Sequence, residues 1–340
     1  MTSLQERLRT RPVWMADGAT GTNLFQAGLP TGEAPELWNI SEPDRILAHY
    51  RASIGAGADL ILTNTFGGTR HRLKLHQAQD RVHEINFAAA RLAREATAAS
   101  GRDVIVAGSI GPTGELFAPL GNLTPETARA AFREQAEALR DGGVDLLWIE
   151  TMSALEEVAA AAEAAADLRM PYAATCSFDT NGRTMMGITP ARFVEFIHSL
   201  PVPPLAYGAN CGVGAADLVY TILQLAETRR PGDILIAKGN CGIPYYEEGK
   251  ITYSGTPELM ADYARLARDA GAMIIGGCCG TTYRHLCAIR DAIDHGTPGI
   301  QPALADITAK LGDVAPGTRQ ALEANPLEAN PRRRQRRQPA

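Results

Sequence analysis

The stretch Asp141-Gly142-Gly143-Val144-Asp145-Leu146-Leu147-Trp148-Ile149-Glu150-Thr151 decides the fold. In order, it holds glycines that end a helix, an apolar run of strand length, and a carboxylate where the strand stops. The same unit recurs from one end of the chain to the other. Apolar runs at 13–16, 60–63, 104–107, 146–149, 172–177, 205–207, 234–237 and 273–275 read as strands. Amphipathic stretches at 43–56, 80–99, 125–141, 154–168, 190–200, 215–228, 257–270 and 283–295 read as the helices between them. Thr124-Pro125, Thr189-Pro190 and Thr256-Pro257 each put a capping hydroxyl before a proline at the first helical position. Ala56-Gly57, Gly142-Gly143 and Ala270-Gly271 each end a helix on glycine.

Strict alternation of strand and helix calls for a parallel sheet, because parallel strands need a crossover and the helix supplies it. Eight units match a closed (β/α)8 TIM barrel, whereas a doubly wound sheet more often has about five or six strands. Asp17, Asn64, Gly108, Glu150, Asn210, Gly239 and Gly276-Gly277-Cys278-Cys279 all fall at or just past the ends of strands. In a barrel that is the face on which active sites form. The expected organisation is a barrel over 1–297 and a C-terminal extension over 298–325, whose segment 304–311 packs on the barrel. A disordered tail follows over 326–340, carrying the basic run Arg332-Arg333-Arg334-Gln335-Arg336-Arg337.

The 340 residues are 45% hydrophobic and 21% charged with a formal charge of -5, the balance of a soluble globular chain. That charge gives no reason to expect nucleic acid or an anionic membrane as partner. The first ten residues lack the apolar core of a signal peptide, and no run approaches the ~18 apolar residues of a membrane span. Six cysteines are too few for a disulfide scaffold, so a cytoplasmic chain with reduced thiols is expected.

Thiol chemistry is then the live question. Cys278-Cys279 sits between glycines directly after a strand, where the chain can bend and bring neighbouring side chains to one ion. Cys211, in Gly208-Ala209-Asn210-Cys211-Gly212, ends the sixth strand, close to the eighth around a barrel. Three thiolates with an open position mark a catalytic zinc site, since structural sites close with four protein ligands. Cys241, in Gly239-Asn240-Cys241-Gly242, leaves a fourth ligand open; a closed four-thiolate site would make the chain a non-catalytic zinc-binding barrel. Cys176 and Cys287 lack the glycine context and read as packing residues. Asp17, followed by the free amides of Gly18 and Ala19, suits the ammonium and carboxylate of an amino acid. Glu150 is costly to bury unless it meets a cation, which a ligand ammonium or a lysine or arginine would supply.

The chain resembles the homocysteine S-methyltransferase family over about residues 12–294. The motifs are Asp17-Gly18-Ala19-Thr20-Gly21-Thr22, Thr63-Asn64-Thr65-Phe66-Gly67, Gly108-Ser109-Ile110-Gly111-Pro112, Glu150-Thr151, Gly208-Ala209-Asn210-Cys211 and Gly276-Gly277-Cys278-Cys279-Gly280. The resemblance implies that Cys211, Cys278 and Cys279 bind zinc, and that Asp17 and Glu150 hold the homocysteine amino group. The substrate sulfur becomes the fourth ligand and attacks a methyl donor as thiolate, making methionine. Gly18, Ala19, Asn64 and Trp38 complete the expected substrate-binding set. The segment Ala34-Pro35-Glu36-Leu37-Trp38 resembles bacterial betaine enzymes, so betaine is the expected donor, with Trp38 facing its quaternary ammonium. Gly67 and Thr151 stand where animal betaine enzymes have tyrosines. With the segment 239–244 they look more like the homocysteine module of cobalamin-dependent methionine synthase, whose donor is a methylcorrinoid protein charged from methyltetrahydrofolate. Phe66, Phe117, Tyr245 and Tyr246 are the aromatics available to rebuild a cage. A homo-oligomer is compatible with the family.

Overall fold

The computed structural model describes residues 3–242, 244–247 and 250–319. Its first seven strands are β1 (Trp14–Met15), β2 (Leu60–Leu62), β3 (Ile105–Ile110), β4 (Leu146–Met152), β5 (Tyr172–Cys176), β6 (Ala206–Cys211) and β7 (Leu235–Gly239). A hairpin of β8 (Pro244–Glu247) and β9 (Lys250–Tyr253) follows, and β10 (Ala272–Gly277) is last. The parallel sheet runs β1-β10-β7-β6-β5-β4-β3-β2. A bridge between Ala16 and Leu60 and the Asp59 N–H donated to Met15 O at 2.8 Å close it into a (β/α)8 barrel.

The helices begin and end where local chemistry requires. Thr124, Thr189 and Thr256 accept hydrogen bonds from the third amide of the helices Pro125–Gly142, Pro190–Ser199 and Pro257–Asp269. Gly57, Gly143 and Gly271 sit at φ of 103°, 95° and 106°, the left-handed exit that glycine adopts without strain. The hairpin was not expected, because its strands carry neither a long apolar run nor a two-residue turn signal. A short helix, Leu4–Leu8, was also missed. Leu8 is buried against the barrel interior and its carbonyl accepts from Trp14 Nε1 at 3.0 Å, so this helix plugs the N-terminal end.

Side-chain alternation divides the strands between two cores. Trp14, Leu60, Leu62, Ile105, Ala107, Leu146, Trp148, Ala206, Ile236 and Ile274 fill the barrel interior. Their neighbours Met15, Ile61, Val106, Leu147, Ala237 and Ile275 face the helices. At the N-terminal end the buried Asp59 accepts from the Met15 amide at 3.0 Å and pairs with Arg11, Arg102 and Arg290. The helix Leu304–Leu311 packs on the barrel helices Ala215–Thr228 and Pro257–Asp269. The end of the proposed extension and the whole basic tail lie outside the described residues. Among the described residues no helix is long and apolar enough to cross a membrane.

Candidate active site

The inward-facing alternation that fills the barrel also builds the site, because its topmost layer is polar. Two residues above the interior positions Ala107, Trp148, Gly208, Ile236 and Gly276 come Ser109, Glu150, Asn210, Lys238 and Cys278. Except for Asn210, these line a cavity of about 600 Å³ at the C-terminal mouth, together with Gly18, Ala19, Asn64, Cys211, Tyr253 and Cys279.

Cys211, Cys278 and Cys279 put their sulfurs within 4.8 Å of one another, and Cys211 Sγ lies 3.7 Å from Cys279 Sγ. Local backbone makes this convergence. Cys211 adopts a left-handed φ of 61°, unusual for a residue with a Cβ, which turns its side chain out of the strand alternation. Gly280, at φ 78°, lies so close to the Tyr253 ring that a Cβ there would sit 2.3 Å from it. Asn210 accepts from the Thr151 amide at 2.9 Å and the Thr175 hydroxyl at 2.7 Å, and turns its own amide towards Cys278 Sγ at 3.9 Å.

Cys241 does not join these sulfurs. Its thiol is fully buried against Gly255, and its amide donates to Cys279 O at 2.9 Å. Asn240 Nδ2 donates to Gly212 O at 2.7 Å and Gly239 O accepts from the Cys278 amide at 2.7 Å. The segment Gly239–Gly242 therefore braces both cysteine loops through its backbone and Asn240, and Cys241 serves packing. Cys176 is buried in the core as expected, whereas Cys287 is exposed.

Three thiols at this spacing cannot all ionise unaided. Thiol hydrogen bonds from Cys211 and Cys278 hold Cys279 far below the usual range, at about 3. Cys211, hydrogen-bonded to the other two sulfurs, is pushed far up. The Tyr253 hydroxyl adds a further hydrogen bond to Cys279. A soft divalent cation would let all three lose their protons, so the donor set fits a thiolate-bound metal.

At the other side of the floor, Lys238 Nζ lies 2.6 Å from Asp17 Oδ1, with both side chains almost wholly buried. Asp17 Oδ2 accepts from the Leu62 amide at 2.7 Å, so both oxygens are engaged. Glu150 is 8% exposed and accepts from Ser109 Oγ. Its burial, eased by Lys238 and worsened by charge on Cys278, pushes its carboxyl up to about 7. Lys238 is thus the protein cation whose charge eases the burial of Glu150, although its ion pair is made with Asp17. It went unnamed although it obeys the same strand-end rule, one residue before the Gly239 that was singled out.

Other expected site residues hold different posts. Ala19 lines the cavity but its amide is donated to Thr281 O at 3.3 Å, and Gly18 packs so close that a Cβ would stand 2.9 Å from the same oxygen. Asn64 lines the cavity and spends its amide on Pro35 O at 2.7 Å, tethering the loop that holds Glu36. Trp38 is a correction. It is 4% exposed in the core with the Arg45 guanidinium 5.0 Å from its ring, and the cavity wall does not include it. Its helical stretch follows a 3-10 turn that turns the indole inward against α-helical neighbours. Phe66 lines the mouth, Phe117 packs on the core, and Tyr245 is exposed; the Tyr246 side chain and Ile243 lie outside the described residues.

A family model described as homocysteine S-methyltransferase matches residues 14–293. The chain belongs to the homocysteine S-methyltransferase family. Members are methyltransferases, and this chain is an enzyme of that class. It is 28% identical over 319 residues to methionine synthase of Mycobacterium leprae, matching 88% of this chain and 26% of that protein. The chain thus spans about a quarter of the relative's length. Among solved structures it resembles the metallated form of the homocysteine methyltransferase MmuM from Escherichia coli, at 25% identity and TM-score 0.69 over 84% of this chain and 98% of that one. The oxidised form of the same protein matches at 24% identity and TM-score 0.71 over 85% and 99%, a likeness of fold.

Proposed function

We propose that this family member is a zinc-dependent homocysteine S-methyltransferase that makes methionine. The observation carrying this reading is the pairing of three converged thiols with Glu150 and the buried Asp17–Lys238 ion pair at one cavity. Cys211, Cys278 and Cys279 hold the zinc, which when bound lowers the pKa of a ligating thiol so that it reacts as thiolate. That a solved neighbour exists in a metallated form supports metal binding by this chain. Glu150 takes up the amino-acid head of homocysteine, and the Asp17–Lys238 pair completes the polar wall behind it. Tyr253 closes over the sulfurs from the hairpin and limits water at the nucleophile. The account is tested by zinc content and by methionine formation, both of which Cys278→Ala should abolish. A fully active metal-free enzyme would overturn it.

For the methyl donor, the mouth supports a large methylcorrinoid carrier more than betaine. Phe25, Phe66, Leu75, Leu116, Leu120 and Met185 are all exposed in the loops and short helices that follow barrel strands, an apolar rim suited to a protein partner. The similarity to methionine synthase points the same way. Betaine, the donor expected from sequence, has Phe25, Phe66 and Tyr253 as the aromatic rings on the cavity wall, with Trp38 withdrawn into the core. Zinc-loaded protein and homocysteine, given methylcobalamin or betaine alone, separate the two. Methionine from betaine alone would overturn the carrier reading.

A further inference from the structure

At the polar end of the cavity Glu150 and Lys238 border the space, and Lys238 is paired with Asp17, which lies behind the cavity wall. Lys238 points inward from β7 because it continues the alternation of Ile234 and Ile236, both in the barrel interior. Its Nζ lies 2.6 Å from Asp17 Oδ1 and 5.8 Å from the centroid of the ring of Trp148, a buried residue of the barrel interior. The lysine side chain is 3% exposed and that of Asp17 2%, so neither charge has water to turn to. With Leu62 N–H on its other oxygen, Asp17 has two strong partners before any ligand arrives. Among the described residues Glu150 has the Ser109 hydroxyl as its one hydrogen-bond partner, and it borders the same cavity.

Resting on the homocysteine reading above, we infer that Lys238 is a positioning residue that occupies Asp17 and leaves Glu150 as the single carboxylate for the substrate ammonium. Two free carboxylates would hold an ammonium more tightly than one, and a buried unpaired carboxylate would draw other cations as well. Lys238 removes that surplus, so recognition of the amino group depends on one contact. The head group is then set by Glu150, while the Asp17–Lys238 pair fixes the floor against which it rests.

The test compares binding of homocysteine with that of 4-mercaptobutanoate, the same thiol acid without the amino group, to zinc-loaded protein by calorimetry. The measurement needs no methyl donor. Wild-type protein should prefer homocysteine, and Glu150→Gln should erase that preference. Lys238→Met frees Asp17 and should widen the preference by about tenfold, the worth of one further charge-assisted contact. A merely structural lysine would weaken both ligands equally and leave their ratio unchanged, which would overturn the inference. Should Lys238→Met not fold, the Asp17→Asn/Lys238→Met double variant replaces the ion pair with neutral groups and is expected to keep the wild-type ratio. Loss of the preference in that double variant would make Asp17 a direct contact and overturn the inference too. If wild-type protein binds neither thiol, it is the homocysteine reading that fails instead.

Discussion

Replacing Glu150 by glutamine should stabilise the metal-free protein near neutral pH and change nothing in acid. Burial lifts the Glu150 carboxyl from 4.5 to about 7, with Lys238 opposing the rise and Cys278 adding to it. Between pH 4.5 and about 7 the folded protein holds a proton that the unfolded chain has already lost. This reverses the usual behaviour of an acid, so the group costs stability as pH rises through that window. The cost grows by about 1.4 kcal/mol per pH unit and reaches about 3 kcal/mol at its upper end. Below 4.5 both states are protonated and the penalty vanishes. Glutamine carries no charge to desolvate and still offers an oxygen to Ser109 Oγ. Urea denaturation of both metal-free proteins across the window should give stabilities that meet at the acid end and separate by about 3 kcal/mol above pH 7. The same substitution should weaken homocysteine binding, since stability lost to an ionisable group is held there for function. Stability curves that stay parallel across the window would refute the argument that burial dominates at Glu150.

Cys278→Ala should lose bound zinc and methionine formation together, while Cys241→Ala should keep one zinc per chain; metal analysis of the two purified variants checks both. Asp59→Ala, at the opposite end of the barrel, leaves Arg11, Arg102, Arg290 and the Met15 amide without their shared acceptor and should cost about 3 kcal/mol of stability. Its homocysteine affinity should be unchanged, because the N-terminal face of a barrel serves stability. Gly208→Ala would bring a Cβ within 2.0 Å of Ile236 O, a backbone atom that cannot step aside, and should destabilise the barrel by about 3 kcal/mol or more in thermal unfolding.

The barrel was legible in the sequence because each strand unit repeats one local grammar. Threonine-proline starts such as Thr189-Pro190, glycine exits such as Gly143, and apolar runs all obey rules that need no tertiary contact. The thiols were legible for a related reason: glycines flanking Cys278-Cys279 and following Cys211 announce sharp turns, and the structure turns there. What depended on side-chain pairing was not legible. Asp17 at a strand end looks like a ligand contact, and only the geometry reveals that Lys238 already holds it. Trp38 looks like an aromatic wall in a promising segment, yet whether an indole faces a cavity or the core is decided by the turn of its helix. Tyr253 could not have been found, since the hairpin that carries it has no strong local signal.

The central claim is that three thiols leave a metal position open for the substrate sulfur. X-ray absorption at the zinc edge of purified protein, before and after homocysteine, measures this directly. Three sulfur neighbours and one lighter atom should become four sulfurs when homocysteine is added. Four sulfurs in its absence, or a spectrum that homocysteine leaves unchanged, would contradict the claim.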